Sequence, residues 1–121
     1  MSATILTVDD SRAMQEMLRY SLREAGFRVI QAADGLHGLE MLERENPDVI
    51  LTDLNMPRLD GIGFIEAVRR DAARRAMPVL VLTTEADAEK KNRARAAGAT
   101  GWIVKPFDPV KLVEAIRRVS A

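Results

Sequence analysis

Apolar and β-branched residues fall along this chain in short continuous runs, separated by longer amphipathic stretches. Thr4-Ile5-Leu6-Thr7-Val8, Val49-Ile50-Leu51-Thr52, Val79-Leu80-Val81-Leu82-Thr83 and Trp102-Ile103-Val104 are four such runs, and Phe27-Arg28-Val29-Ile30 is a weaker fifth. Runs this short and this continuously apolar are strands covered on both faces. The stretches between them carry helical spacing. Met14, Met17, Leu18, Ser21, Leu22 and Ala25 share one helical face, which makes the Met14/Met17 pair part of a core stripe, and Gly26 stands at the stop. Leu36, Leu39, Met41 and Leu42 define a second helix, with Asp34 as N-cap and an exit at Asn46-Pro47. A third runs from Ile62 to Val68 after Asp60-Gly61, and a fourth from Ala86 to Ala97, ending at Gly98. Asp108-Pro109 opens a fifth that reaches about Val119.

Strand and helix thus alternate five times. This (βα)5 pattern predicts an α/β fold, a doubly wound parallel five-stranded sheet with right-handed crossovers. Two strand orders remain open from the pattern, a Rossmann-like half and a flavodoxin-like 2-1-3-4-5 sheet. In both, ligands sit beyond the carboxyl ends of the strands, where the strand order reverses.

Those ends carry the candidate chemistry. Asp9-Asp10 follow the first strand, Asp53 the third, Thr83-Thr84 the fourth and Lys105-Pro106 the fifth. In the 2-1-3-4-5 order they would face one crevice. Three carboxylates and one ammonium sum to a formal charge of −2, which a divalent cation would cancel. Oxygen-only ligands select a hard ion, Mg2+ ahead of Mn2+ or Ca2+. An Asp beside such an ion is a carboxylate nucleophile toward a phosphoryl group, with a Lys to neutralise developing charge and a Thr hydroxyl to hydrogen-bond the arriving oxygens.

Composition removes competing classes. A length of 121 residues and 13.4 kDa fits a single domain, 1–121, with no room for an output domain. Eighteen basic residues balance 18 acidic ones, so nucleic-acid binding by bulk electrostatics is not expected. The absence of Cys removes disulfide scaffolds, thiolate metal sites and thiol nucleophiles. No apolar run approaches the ~20 residues of a membrane helix. Met1-Ser2-Ala3-Thr4 lacks the start of a signal peptide, so a cytoplasmic protein is expected. The Gly-rich phosphate loops of nucleotide-binding proteins are missing, so the phosphoryl group has to come from another molecule. Only 4 of the 18 basic residues are Lys, which makes Lys105 stand out.

Val8-Asp9-Asp10-Ser11, Asp53-Leu54-Asn55-Met56-Pro57 with Gly61, Leu82-Thr83-Thr84 and Lys105-Pro106-Phe107 together resemble the receiver domain of two-component response regulators. The resemblance spans essentially the whole chain and leans toward the single-domain chemotaxis type. It implies the 2-1-3-4-5 order and a signalling switch rather than an enzyme, with self-catalysed phosphotransfer and autodephosphorylation only. Asp53 would accept a phosphoryl group from a histidine kinase or phosphotransfer protein. Asp10 would ligate Mg2+ directly, Asp9 through water, Asp53 itself, and Asn55 through its backbone carbonyl. Lys105 would pair with the phosphoryl group, and Thr83 and Trp102 would form the switch. Asn55, Thr84 and Glu85 would tune the phosphate's hydrolysis. A target protein would read the face formed by helix 4, strand 5 and helix 5, with neither nucleic acid nor membrane as partner. The Lys105-Pro106 bond would be cis. Two positions depart from the family pattern: Trp102 where Tyr or Phe is usual, and Thr84 where Ala or Gly is frequent.

Plainer readings stand beside these. Asp9-Asp10 also suits a helix cap, Asp60-Gly61 a simple turn, His37 a solvated surface, and Lys90, Lys91, Arg93 and Arg95 a solvated face. Trp102 serves equally as strand packing. A haloacid-dehalogenase-like phosphatase also uses a strand-end Asp, Mg2+, Thr and Lys, but it wants a second Asp where this chain has Asn55. A receiver excised from a longer regulator and a pure binding module with a vestigial Asp site are the remaining alternatives.

Overall fold

The computed structural model describes residues 3–84 and 88–120. Strands and helices alternate as β1 (Thr4–Val8), α1 (Arg12–Glu24), β2 (Arg28–Ala32), α2 (Gly35–Arg44), β3 (Val49–Asp53), α3 (Gly61–Arg70), β4 (Val79–Thr84), α4 (Ala88–Ala97), β5 (Gly101–Lys105) and α5 (Pro109–Ser120). A 3-10 turn, Ala72–Arg74, precedes β4. All strand pairs are parallel, in the order β2-β1-β3-β4-β5, the flavodoxin-like alternative.

Handedness explains where the helices lie. The chain steps outward from β1 to β2, then reverses through β3, β4 and β5. With right-handed crossovers, a reversal of direction moves the connecting helix to the other face of the sheet. Accordingly, α1 packs on one face, joined by α5, and α2, α3 and α4 pack on the other. The strands divide between the faces by a period of two. Leu6, Val8, Ile50, Val79 and Val81 meet Leu42, Phe64, Ile65, Val68 and Ala94. Ile5, Val49, Leu51, Leu80 and Leu82 meet Leu18, Leu22, Leu112 and Ile116. Every one of these strand residues is apolar because neither face meets water, and each fully buried side chain contributes about 1.5–3 kcal/mol.

Local signals fix the element ends. Ser11, Asp34 and Asp60 cap α1, α2 and α3, accepting from the N–H groups of Met14, His37 and Gly63. The end of α1 corrects the expected start of the second strand. Gly26, at φ 95°, donates to the Arg23 carbonyl, and Phe27 N–H donates back to Leu22 O. Phe27 therefore belongs to the helix stop, and β2 begins at Arg28.

The core stripe of α1 also needs correction at Met17, which is 51% exposed. It is turned about 100° from Leu18, while Gln15 lies beside Leu22 on the opposite side of Leu18 and is half-buried. His37 is half-buried rather than solvated, and its Nδ1 accepts the Ala33 N–H at 3.0 Å. The expected start of the fourth helix at Ala86 lies outside the described residues. Among the described residues, no helix is long and apolar enough to cross a membrane.

Candidate functional site

The reversal between β1 and β3 leaves a crevice at their carboxyl ends, and the strand-end residues line it. Asp9 follows β1, and its N–H donates to Ala32 O at 3.1 Å, continuing the ladder to β2. Asp53 is the last residue of β3. Asp9 and Asp53 are buried, at 2% and 8% exposure, while Asp10 is exposed. Carboxylate oxygens of all three lie within 4.8 Å of one another. Lys105, at the end of β5, donates from Nζ to Asp53 Oδ1 at 3.0 Å and stands 3.8 Å from Asp9 Oδ2. The Lys105-Pro106 bond is cis, as the resemblance implied.

The electrostatics are those of an incomplete set. Asp9 Oδ1 accepts the Ser11 N–H at 2.8 Å, but Oδ2 is buried with no hydrogen-bond donor. Burial pushes the Asp9 carboxyl above the usual carboxylate range against the pull of the Ser11 N–H. The Asp53 charge pushes it further up, Lys105 opposes, and Asp10 adds to the rise. Leaving a buried carboxylate oxygen without a partner is costly. A hard divalent cation answers that deficit: the ligand atoms are all oxygen, one of them accepts no hydrogen bond, and the local charge is negative. Asp9, Asp10 and Asp53 thus fit the group that their positions implied.

The other expected residues have their own partners. Thr83 is buried at the end of β4, its hydroxyl 3.4 Å from the Thr84 carbonyl, and Thr84 is exposed. Asn55 is exposed, and its Oδ1 accepts from Lys90 Nζ of α4 at 3.0 Å. Glu85 lies outside the described residues. Trp102 pairs with Val81 across β4 and β5, so it shares a sheet face with Val81 and Thr83 and packs against the α2–α4 core. Lys91 Nζ stands 5.4 Å, and the Arg95 guanidinium 4.8 Å, from its ring centroid. Each such cation–π contact is worth about 0.5–1 kcal/mol at an exposed site. The basic run of α4 is therefore tied to Trp102 and Asn55 and is not simply a solvated face.

Three positioning features escaped the sequence reading. Gly61 does more than turn the chain. A Cβ there would stand 2.3 Å from Asp53 O and 2.7 Å from Leu54 Cα, so only Gly lets α3 start against the end of β3. Gln15 is held by hydrogen bonds to three strand-end carbonyls; its signal was an amide in an apolar stripe. The third feature is a clamp. Asp34, nearly buried, accepts from Arg58 Nε at 2.7 Å and Nη2 at 2.9 Å, tying the β2–α2 turn to the loop carrying Asn55. Arg58 takes a left-handed φ of 66° to reach it, which no sequence pattern announced.

The clamp gives a pH prediction. The hydrogen bonds from Arg58 hold the Asp34 carboxyl below its usual value against the opposing effect of burial, and the His37 N–H lowers it further. Stability from this pair is present above the ordinary carboxylate range and is lost as pH falls through the depressed value. Chemical denaturation of Arg58→Met is expected to show a loss at neutral pH that closes on acidification. A loss of the same size at both pH values would count against the clamp.

Comparison with known proteins identifies the family and the fold. A family model described as the response regulator receiver domain matches residues 5–117. Chemotaxis protein CheY-3 of Vibrio cholerae is 40% identical over 116 residues, covering 95% of this chain and 89% of the relative. The structure of chemotaxis response regulator CheY4 of Vibrio cholerae superposes with a TM-score of 0.92 at 43% identity, covering 98% of this chain and 99% of that one. The receiver domain of a sensor histidine kinase from Pseudomonas aeruginosa, solved with a magnesium ion coordinated in its active-site cleft, superposes with a TM-score of 0.92 at 30% identity. It covers 99% of this chain and 98% of that domain.

Proposed function

Because the chain belongs to the response-regulator receiver family, with chemotaxis regulators among its relatives, we propose that Asp53 is its phosphoryl acceptor and that residues 1–121 act as one switch. The observation that carries this reading is the contact between Lys105 Nζ and Asp53 Oδ1 at 3.0 Å, inside the Asp9/Asp10/Asp53 cluster. One carboxylate oxygen of Asp53 is held by an ammonium, and the group sits where negative charge can be neutralised.

In the proposed step, an Asp53 oxygen attacks the phosphorus of a phosphohistidine on a kinase or phosphotransfer protein. A P–O bond forms, the P–N bond breaks, and the departing imidazole takes up a proton. Asp9, Asp10, Asp53 and the Asn55 backbone carbonyl would hold Mg2+, whose charge offsets that of the phosphoryl oxygens. Lys105 supplies the second positive charge. The acyl phosphate carries about −2 where the free carboxylate carries −1, and the hydroxyl of Thr83, buried at the end of the neighbouring strand, is assigned as a donor to it.

Thr83 and Trp102 share a sheet face, and Trp102 is gripped by Lys91 and Arg95 of α4. A shift of Thr83 toward the phosphate therefore reaches α4 through this ring, and a target protein reads the α4, β5 and α5 face. Asn55, Thr84 and Glu85 are assigned to the tuning of hydrolysis. The site works as a phospho-acceptor with its own transfer and hydrolysis steps, in the cytoplasm. A haloacid-dehalogenase-like phosphatase would need a carboxylic acid two residues beyond Asp53, where Asn55 stands.

The test is mass measurement after incubation with a small phosphodonor and Mg2+. The parent chain is expected to gain one phosphoryl group, mapped to Asp53, and Asp53→Asn to gain none. Undiminished labelling of Asp53→Asn would overturn the assignment.

A further inference from the structure

The inward face of α1 meets the strand ends, yet Gln15 occupies it, half-buried. An amide in that place is costly unless its polar atoms are partnered. Here all of them are. Nε2 donates to Ala32 O at 2.8 Å and Asp9 O at 3.1 Å, with Thr7 O at 3.4 Å as a shared third acceptor. Oε1 accepts from Thr7 Oγ1 at 2.7 Å and from Gln31 Nε2 at 3.0 Å. Gln31 donates in turn to Thr7 Oγ1 at 3.1 Å and to the Gln15 carbonyl at 2.9 Å. A fully satisfied network of this kind is rigid.

Its target is informative. The Asp9 backbone is held on both sides, through its N–H by Ala32 O and through its carbonyl by Gln15. Ala32 O, which receives the Asp9 N–H, is itself held by Gln15. The residue fixed so firmly is the one whose carboxylate belongs to the acid cluster and carries a buried Oδ2 with no hydrogen-bond donor.

We infer that Gln15 is a positioning residue for a divalent cation held by Asp9, Asp10 and Asp53, acting by fixing the main chain that aims the Asp9 carboxylate. The inference rests on the cation reading of that cluster. Groups that orient metal ligands through hydrogen bonds typically change affinity by about 10–100-fold when removed.

The test is calorimetric titration of Mg2+ into the full chain and two variants. Gln15→Met keeps the length of the side chain and loses its polar atoms, and it is expected to bind about 10–100-fold more weakly. Gln31→Met breaks three bonds of the same network, none of them to Asp9, and is expected to lose stability while keeping its affinity for Mg2+ within a few-fold. If Gln15→Met does not fold, Gln15→Asn, whose amide is too short to reach the strand carbonyls, carries the same expectation. Parent-like affinity in the folded Gln15 variant overturns the inference, as does an equal loss in the Gln31 variant. Both leave the cation reading intact. A parent chain that takes up no Mg2+ overturns the cation reading and this inference together.

Discussion

Gly61→Ala is expected to destabilise the chain by about 3 kcal/mol and to suppress phosphoryl uptake at Asp53. The Cβ it introduces would stand 2.3 Å from Asp53 O and 2.7 Å from Leu54 Cα, and both of these are backbone atoms. No side-chain rotation relieves such a contact. Either the start of α3 moves away, breaking the bond from Gly61 N–H to Leu54 O at 2.9 Å, or the end of β3 moves and carries Asp53 out of reach of Lys105. Urea denaturation reads the first effect and phosphoryl incorporation the second. A variant with parental stability and parental uptake would show that the turn is not the constraint the geometry describes.

Asp9→Asn is expected to have the opposite sign in the absence of divalent cations. Asp9 is 2% exposed, its Oδ2 has no donor, and burial together with the Asp53 charge opposes its ionised form. Removing that charge is expected to stabilise the metal-free chain by about 1–3 kcal/mol. With Mg2+ the order reverses. At a hundred times its dissociation constant a ligand stabilises the native state by about 2.7 kcal/mol, and the variant, lacking one of the three carboxylates, forgoes most of that gain. Denaturation with chelator and with excess Mg2+ should therefore give curves that exchange places. A variant less stable than the parent under both conditions would mean that Asp9 is a structural cap and nothing more.

The strands are legible in the sequence for a physical reason. Ile5 and Leu6, or Val49 and Ile50, point to opposite faces, and both faces are covered, so the runs are apolar but for the buried Thr7 and Thr52. Once the strand order is fixed, the residues at the ends of those runs have to come together, and the carboxylates of Asp9 and Asp53 meet the Lys105 ammonium there. Other positions are not legible, because hydrophobicity there is a poor proxy for position. Gln15, not Met17, turns inward on α1, where its amide donates to carbonyls at the ends of β1 and β2, which no periodicity of apolar residues records. Phe27 looked like strand because it is apolar, yet its N–H closes the end of α1. The contacts Lys90–Asn55 and Arg58–Asp34 join residues 35 and 24 positions apart. Such pairs become visible only when the loops are folded together.

The central claim is that the oxygens of Asp9, Asp10 and Asp53 form one divalent-cation site that enables Asp53 to accept phosphate. The most direct measurement is phosphoryl incorporation into the parent chain from a small acyl phosphate, followed by intact mass, with Mg2+ and with a chelator. One phosphoryl group per chain with Mg2+, and none over the same time without it, is the predicted result. Incorporation at the same rate in the presence of chelator would contradict it.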